Sequence, residues 1–217
     1  APDAKVIHVD IDAAEIGKIV SCCAPVHCDA KKAVGRMVEL LEEDPNLPDI
    51  TAWHDRVTDW KQDHPLTFDQ APDGIIKPQY VVSRLSALTE GRAYVSTEVG
   101  QNQMWAAQYF QTDAPEKFVT SGGLGTMGFG LPAAMGMQVG RPGDVVVAVA
   151  GDGSIQMNIQ ELQTIRENNL PVIIAILNNR QLGMVKQWQE LFFDQRYSHT
   201  LIEGQPDFVK LADAYGI

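Results

Sequence analysis

Val145-Val146-Val147-Ala148-Val149-Ala150-Gly151-Asp152-Gly153-Ser154 is an apolar run that breaks on a glycine turn. A helical pattern follows, and a second apolar run over 172–177 closes on Asn178-Asn179. Strand, tight turn, helix and strand make one βαβ unit. The glycines let the backbone approach a ligand closely, and the helix behind them offers unpaired N–H groups and its positive end to phosphate. Asp152 and Asn179 fall at the carboxyl ends of the two strands, where ligands bind in an open parallel sheet. A carboxylate and an amide oxygen there suit a hard cation such as Mg²⁺, and a diphosphate bridged by Mg²⁺ is the ligand that fits. A bare GDG is a weak motif. GDGS after an apolar strand, with NN closing the next one, is far more restrictive than the bland alternative of a tight turn and a polar strand end.

Working outward, the bulk numbers bound the rest. The chain has 217 residues, 45% of them apolar, enough for a real core. A net charge of −11 without a basic cluster argues against nucleic acid as a partner. No apolar run reaches the length of a membrane span, so no membrane role is expected. Cys22, Cys23 and Cys28 form no disulfide framework and fit a reducing cytoplasm. A metal site on His27 and Cys28 has the wrong spacing. Ala1-Pro2-Asp3-Ala4-Lys5 carries no secretory leader and runs straight into a strand, and the sequence stops at Ala214-Tyr215-Gly216-Ile217 just after a helical pattern. Both ends are read as cuts in a longer chain.

Residues 5–11 alternate and read as a strand. Asp12 with Glu15 spells a capping box for a short helix. A second strand over 25–28 leads to Asp29, which caps an amphipathic helix with Ala33, Val34, Met37, Val38, Leu40 and Leu41 on its apolar positions. Two strand-to-Asp-to-helix steps predict part of a doubly wound nucleotide domain, in which Asp10, Asp12 and Asp29 are either ligand contacts or only caps and turn formers. Asp44-Pro45-Asn46-Leu47-Pro48-Asp49 breaks the chain, a helix is expected over 50–64, and the stretch 65–78 is the linker candidate. The expected organisation is 1–45 from a central domain, 46–77 connection and linker, and 78–217 a ligand-binding domain.

Pro78 starts a helix that stops at Gly91, and 93–97 is a strand followed by Val99-Gly100-Gln101-Asn102. This second strand-to-glycine transition offers another face for the same crevice, with neutral donors for a diphosphate. Met104, Trp105, Tyr109 and Phe110 then follow at helical spacing, with core packing as their default. Ser121-Gly122-Gly123-Leu124-Gly125-Thr126-Met127-Gly128-Phe129-Gly130 precedes another helix; such a segment either sits tightly against a ligand or packs a helix closely, and Met127 can serve as an apolar wedge. Beyond Asn179, Met184, Val185 and Trp188 share one helical face, either as core or as the lining of an apolar pocket. Phe192 and Phe193 extend it, 194–204 is a polar loop, and Asp207 caps a last helix.

With these residues assembled, the chain resembles the catalytic subunit of acetolactate synthase (acetohydroxyacid synthase) over essentially its whole length. The resemblance is carried by Val99-Gly100-Gln101-Asn102-Gln103-Met104-Trp105-Ala106-Ala107-Gln108, by 121–128, by the GDGS and NN pair, by Met184-Val185-Lys186-Gln187-Trp188, and by 5–18. It implies an α/β fold of doubly wound parallel sheets, a thiamin-diphosphate-binding domain preceded by part of a FAD-binding domain, with an amino-terminal pyrimidine-binding domain missing. It implies that Asp152, Asn179 and the Gln181 carbonyl hold Mg²⁺, and that Val99, Gly100, Gln101, Asn102, Gly151, Gly153 and Ser154 meet thiamin diphosphate. The Gly125 carbonyl and Met127 would support the aminopyrimidine end, and Leu182, Gly183, Met184 and Val185 would stand beside the cofactor. Met184, Val185 and Trp188 would line the substrate pocket, and Asp10, Ile11, Asp29 and Ala30 would meet FAD.

The implied reaction is decarboxylation of pyruvate and condensation with a second 2-keto acid, giving acetolactate or acetohydroxybutyrate, the first common step towards valine, leucine and isoleucine. The implied setting is a cytoplasmic homodimer or tetramer with a possible small regulatory subunit. Asn102 departs from the family, which often has His there. The glutamate that activates the cofactor belongs to the missing domain, so no catalytic residue is expected in this stretch and the fragment alone is expected to be inactive. The alternatives are another thiamin-diphosphate enzyme (pyruvate oxidase, glyoxylate carboligase or 2-keto acid decarboxylase), a binding module without turnover, and a plain nucleotide-binding protein.

Overall fold

The structure, a computed structural model, describes residues 3–217 and divides into two units, residues 1–65 and 66–217. Ala1 and Pro2, part of the abrupt start noted above, lie outside the described residues. In the first unit, β1 (Ile7–Asp10) pairs in parallel with β2 (Ala24–His27), Ile7 opposite Ala24 and Asp10 opposite His27. Asp29 then caps α1 (Ala30–Glu43), its Oδ1 accepting from the backbone amides of Lys31 at 3.0 Å and Lys32 at 3.4 Å. α2 (Thr51–Asp63) follows, with Trp53 and Trp60 stacked edge to face at 5.6 Å.

The capping box at Asp12 does not start a helix. Asp12 accepts from the Ala14 amide at 2.9 Å, and the Glu15 amide returns to the Asp12 carbonyl at 3.1 Å, but the chain continues as turns through Gly17 at φ +73°. The cap satisfies one turn, and no apolar stripe follows to extend it.

The second unit holds α3 (Pro78–Leu88), β3 (Tyr94–Thr97), α4 (Gln101–Tyr109), β4 (Phe118–Thr120) and α5 (Gly130–Gly140). It continues with β5 (Val146–Gly151), α6 (Glu161–Glu167), β6 (Ile173–Leu177), α7 (Gly183–Phe192) and α8 (Phe208–Tyr215). Its strands form one parallel sheet in the order β4-β3-β5-β6. Alternation along β5 shows why the apolar run was needed. Val147 and Val149 pack with Val82 of α3 and Ala106 of α4, whereas Val146, Ala148 and Ala150 face α5 and α6. Both sheet faces are therefore covered, as a doubly wound sheet requires.

Gly130 fixes the spacing on one of these faces. A Cβ there would lie 2.5 Å from the Glu98 nitrogen and 2.6 Å from the Thr97 carbonyl carbon, so only glycine lets the start of α5 rest on the end of β3. Ser96 adds a hydroxyl bond to the Gly130 carbonyl at 2.7 Å. One expectation shifts: the residues after GDGS form a 3-10 turn over Ile155–Asn158, and the α-helix begins only at Glu161.

Candidate functional site

From β3 the chain crosses through α4 to β4 on one side, and from β5 it crosses through α6 to β6 on the other. β3 and β5 are neighbours, so the chain reverses direction between them and a crevice opens at their carboxyl ends. Val99 and Gly100 leave β3 there, and Asp152 and Gly153 leave β5. A cavity of about 700 Å³ occupies this place.

Its floor is formed by Gly151, Asp152, Gly153 and Ser154, with Val99, Gly100, Gln101 and Asn102 across from them and Met127 reaching in from the glycine-rich loop. Asn179, Gln181, Leu182, Gly183, Met184, Val185 and Trp188 line the third side. The predicted residues of this unit thus converge on one cavity, with one exception. Gly125 does not line it, although it takes a left-handed conformation at φ +66° in the same loop. Trp105, Leu177, Gln189, Phe193 and Arg196 also line the cavity. Trp105 stands one helical turn after Gln101, a spacing that could have flagged it; Arg196 lies in an irregular stretch that carries no such signal.

Asp152 is the most telling side chain. It is 1% exposed, and its Oδ2 has no hydrogen-bond partner. Burial pushes its carboxyl above the ordinary value of 3.8, while its own backbone amide and those of Asn179, Arg180 and Gly153 pull the other way. A buried carboxylate oxygen without a donor is suited to a cation. Asn179 adds an amide oxygen, which now accepts from the Gln181 amide at 3.2 Å. The Gln181 carbonyl is free of the short antiparallel bridge to Leu201, whose bonds run from Leu182 N to the Thr200 carbonyl and from Ile202 N to the Arg180 carbonyl. These three oxygens are the hard donors Mg²⁺ takes. No group of three His, Cys, Asp or Glu gathers among the described residues, so the candidate set rests on one carboxylate completed by amide and carbonyl oxygens.

The other predicted contacts are placed as follows. Asn102 is buried, and its Oδ1 also lacks a partner. The Ser154 hydroxyl is bonded to the Gly151 amide and carbonyl, at 3.1 and 3.2 Å. Gln101 donates to the Gln187 side chain at 3.0 Å and accepts from the Asn179 amide at 3.5 Å, tying α4 to α7. On α7 no residue is buried; Trp188 is 59% exposed and meets Phe192 edge to face at 6.1 Å. The face open to a core or a pocket reading in the sequence therefore lines the cavity.

In the first unit Asp10 is the last residue of β1 and Asp29 stands just past the carboxyl end of the neighbouring β2, with Ile11 and Ala30 beside them. Asp10 accepts from the Asp12 amide at 2.8 Å through Oδ1, and Asp29 caps α1 through its Oδ1, so one oxygen of each carboxylate is engaged locally.

Residues 98–217 match the family profile of the thiamine pyrophosphate enzyme, C-terminal TPP binding domain. Over 218 residues the chain is 47% identical to the acetolactate synthase isozyme 3 large subunit of Escherichia coli K12, covering 99% of this chain and 38% of that protein. It is 48% identical to the acetolactate synthase large subunit of Haemophilus influenzae over 217 residues, with 99% and 38% covered. It is 47% identical to the chloroplastic acetolactate synthase 1 of Nicotiana tabacum over 226 residues, with 100% and 34% covered. The chain thus spans little more than a third of the length of these relatives.

Proposed function

The chain belongs to the thiamine pyrophosphate enzyme family, through that family's C-terminal cofactor-binding domain, and on that premise we propose that it is the diphosphate-holding and metal-holding part of an acetolactate synthase large subunit. The carrying observation is the buried Asp152 carboxylate, with one unpartnered oxygen, at the carboxyl end of β5. In this reading Asp152, Asn179 Oδ1 and the Gln181 carbonyl hold Mg²⁺, Asn102 and the turn over 151–154 meet the diphosphate, and Met127 supports the rest of the cofactor. Thiamin diphosphate supplies a carbon nucleophile and an electron sink for decarboxylating pyruvate and joining the remainder to a second 2-keto acid.

The chain's own residues bind, orient and exclude water. Met184, Val185 and Trp188 form an apolar wall that favours a keto acid over water as the second reactant. No residue of the cavity is assigned a proton-transfer role; in this reading the activating carboxylate is the glutamate that the resemblance places outside this stretch, and the stretch alone turns nothing over. Asp10, Ile11, Asp29 and Ala30 are assigned to FAD, held as a structural group.

The proposed assembly is a homodimer or tetramer with a small regulatory subunit, in keeping with relatives named as large subunits. The proposed setting is the cytoplasm, where three free cysteines stay reduced. No described helix is long and apolar enough to cross a membrane.

Isothermal titration of thiamin diphosphate with and without Mg²⁺ tests the proposal. Metal-dependent binding that disappears in Asp152→Ala is the expected result. Equal binding by that variant removes the metal assignment. Full-length enzyme given pyruvate should release acetolactate; acetaldehyde or acetyl phosphate as product would move the assignment to another thiamin-diphosphate enzyme.

A further inference from the structure

Glu98 is a buried carboxylate that the function above leaves idle. It follows β3 directly, is 1% exposed, and pairs with no Lys, Arg or His among the described residues. Its Oε2 accepts from the Gly128 amide at 2.7 Å and its Oε1 from the Leu131 amide at 3.0 Å. The positive end of α5 and two backbone donors thus take the place of a cation. Asn158 holds the other side of the same glycine, donating its Nδ2 to the Gly128 carbonyl. Gly128 itself sits at φ +88°, and a Cβ on it would meet Asn158 Nδ2 at 2.8 Å and Met157 Cβ at 3.0 Å. Both peptide units around this glycine are therefore pinned in a backbone shape that other residues rarely adopt. The residue immediately before it is Met127, which enters the cavity.

We propose that Glu98 is a positioning residue: by holding the amide that follows Met127, it sets where the Met127 side chain stands in the cavity. The inference rests on reading that cavity as the cofactor site. Glu98 touches no ligand in this account and acts only through the loop. Its carboxylate is required because both oxygens accept. In Glu98→Gln one oxygen still accepts, while the NH₂ confronts the second backbone N–H and leaves it without a partner.

The test is a double-variant cycle in the full-length protein. Thiamin diphosphate with Mg²⁺ is titrated calorimetrically into wild type, Glu98→Gln, Met127→Ala and the combined variant, and amide hydrogen exchange at Gly128 and Leu131 is followed in the ligand-free forms. Glu98→Gln should weaken cofactor binding about tenfold and speed exchange at both amides. The combined variant should bind no more weakly than Met127→Ala alone, because the two residues act in series. Asn158→Ala, which loosens the same glycine from the opposite side, should repeat this non-additivity and takes the place of Glu98→Gln if that variant does not fold. Fold-losses that multiply in the combined variant, or faster exchange with unchanged binding, overturn the inference while the cofactor reading stands. Wild type that binds no thiamin diphosphate overturns both.

Discussion

At the scale of single residues, the same carboxylate that suits a metal burdens the fold that lacks one. Asp152 holds its proton more tightly in the folded chain than in the unfolded one, because burial raises its pKa above 3.8. The sign follows from linkage. Ionisation destabilises the metal-free fold as pH rises from the unfolded value through the raised folded value, and the full cost is present above the latter. Asp152→Asn should therefore raise the metal-free unfolding midpoint at neutral pH and flatten its pH dependence over that window. Its Mg²⁺ affinity should fall by at least the ~10–100-fold that follows loss of a mere supporting partner. Denaturant melts at several pH values, with and without Mg²⁺, measure both. Loss of stability in metal-free Asp152→Asn would show that its backbone bonds outweigh desolvation. Asp152 was legible in the sequence because an apolar strand, two glycines and a later NN frame it. Glu98 was not, because its partners lie 30 and 33 residues further on and nothing local marks a carboxylate that will be buried.

Among elements, the tightest junction is that of β3 with α5. Gly130→Ala pushes a methyl group into the Thr97–Glu98 peptide and should cost about 1–3 kcal/mol of stability in urea melts. Ala at Gly136, where a Cβ meets nothing within 4 Å, should be neutral or stabilising and serves as the control. β5 and β6 were readable because their apolar runs are uninterrupted, as strands of a covered parallel sheet tend to be, and β3 because its β-branched and aromatic residues lead into a glycine turn. β4 was overlooked: Phe118–Thr120 is too short to show a period, and it pairs with β3 only after the chain has crossed through α4. The turns after Asp12 were overread as a helix because a capping box signals a first turn and says nothing about a second. The 3-10 turn after Ser154 is a related case, since helical periodicity does not reveal how many residues pass before an α-helix begins.

For the whole molecule, the two units are unequal. The second contains all three buried apolar clusters, whereas the first has a two-stranded sheet and buries only Ala33 among its described residues. Residues 66–217 expressed alone should unfold cooperatively and bind Mg²⁺ and thiamin diphosphate with an affinity within about threefold of the whole chain's. Residues 1–65 alone should show no cooperative melt, because two strands and one apolar helix face bury too little. Calorimetry of the two pieces checks both statements, and a sharp transition in the smaller piece would contradict the second.

The wall of the cavity, finally, is built from a helix that buries none of its residues. Substitutions at Val185 or Trp188 therefore spend little of the reserve that keeps the sheet folded, and most should leave the melting temperature nearly where it was. Descendants of this sequence can change what the cavity admits without first accumulating compensating mutations, so selectivity can drift on its own clock while the sheet beneath it is inherited almost unaltered.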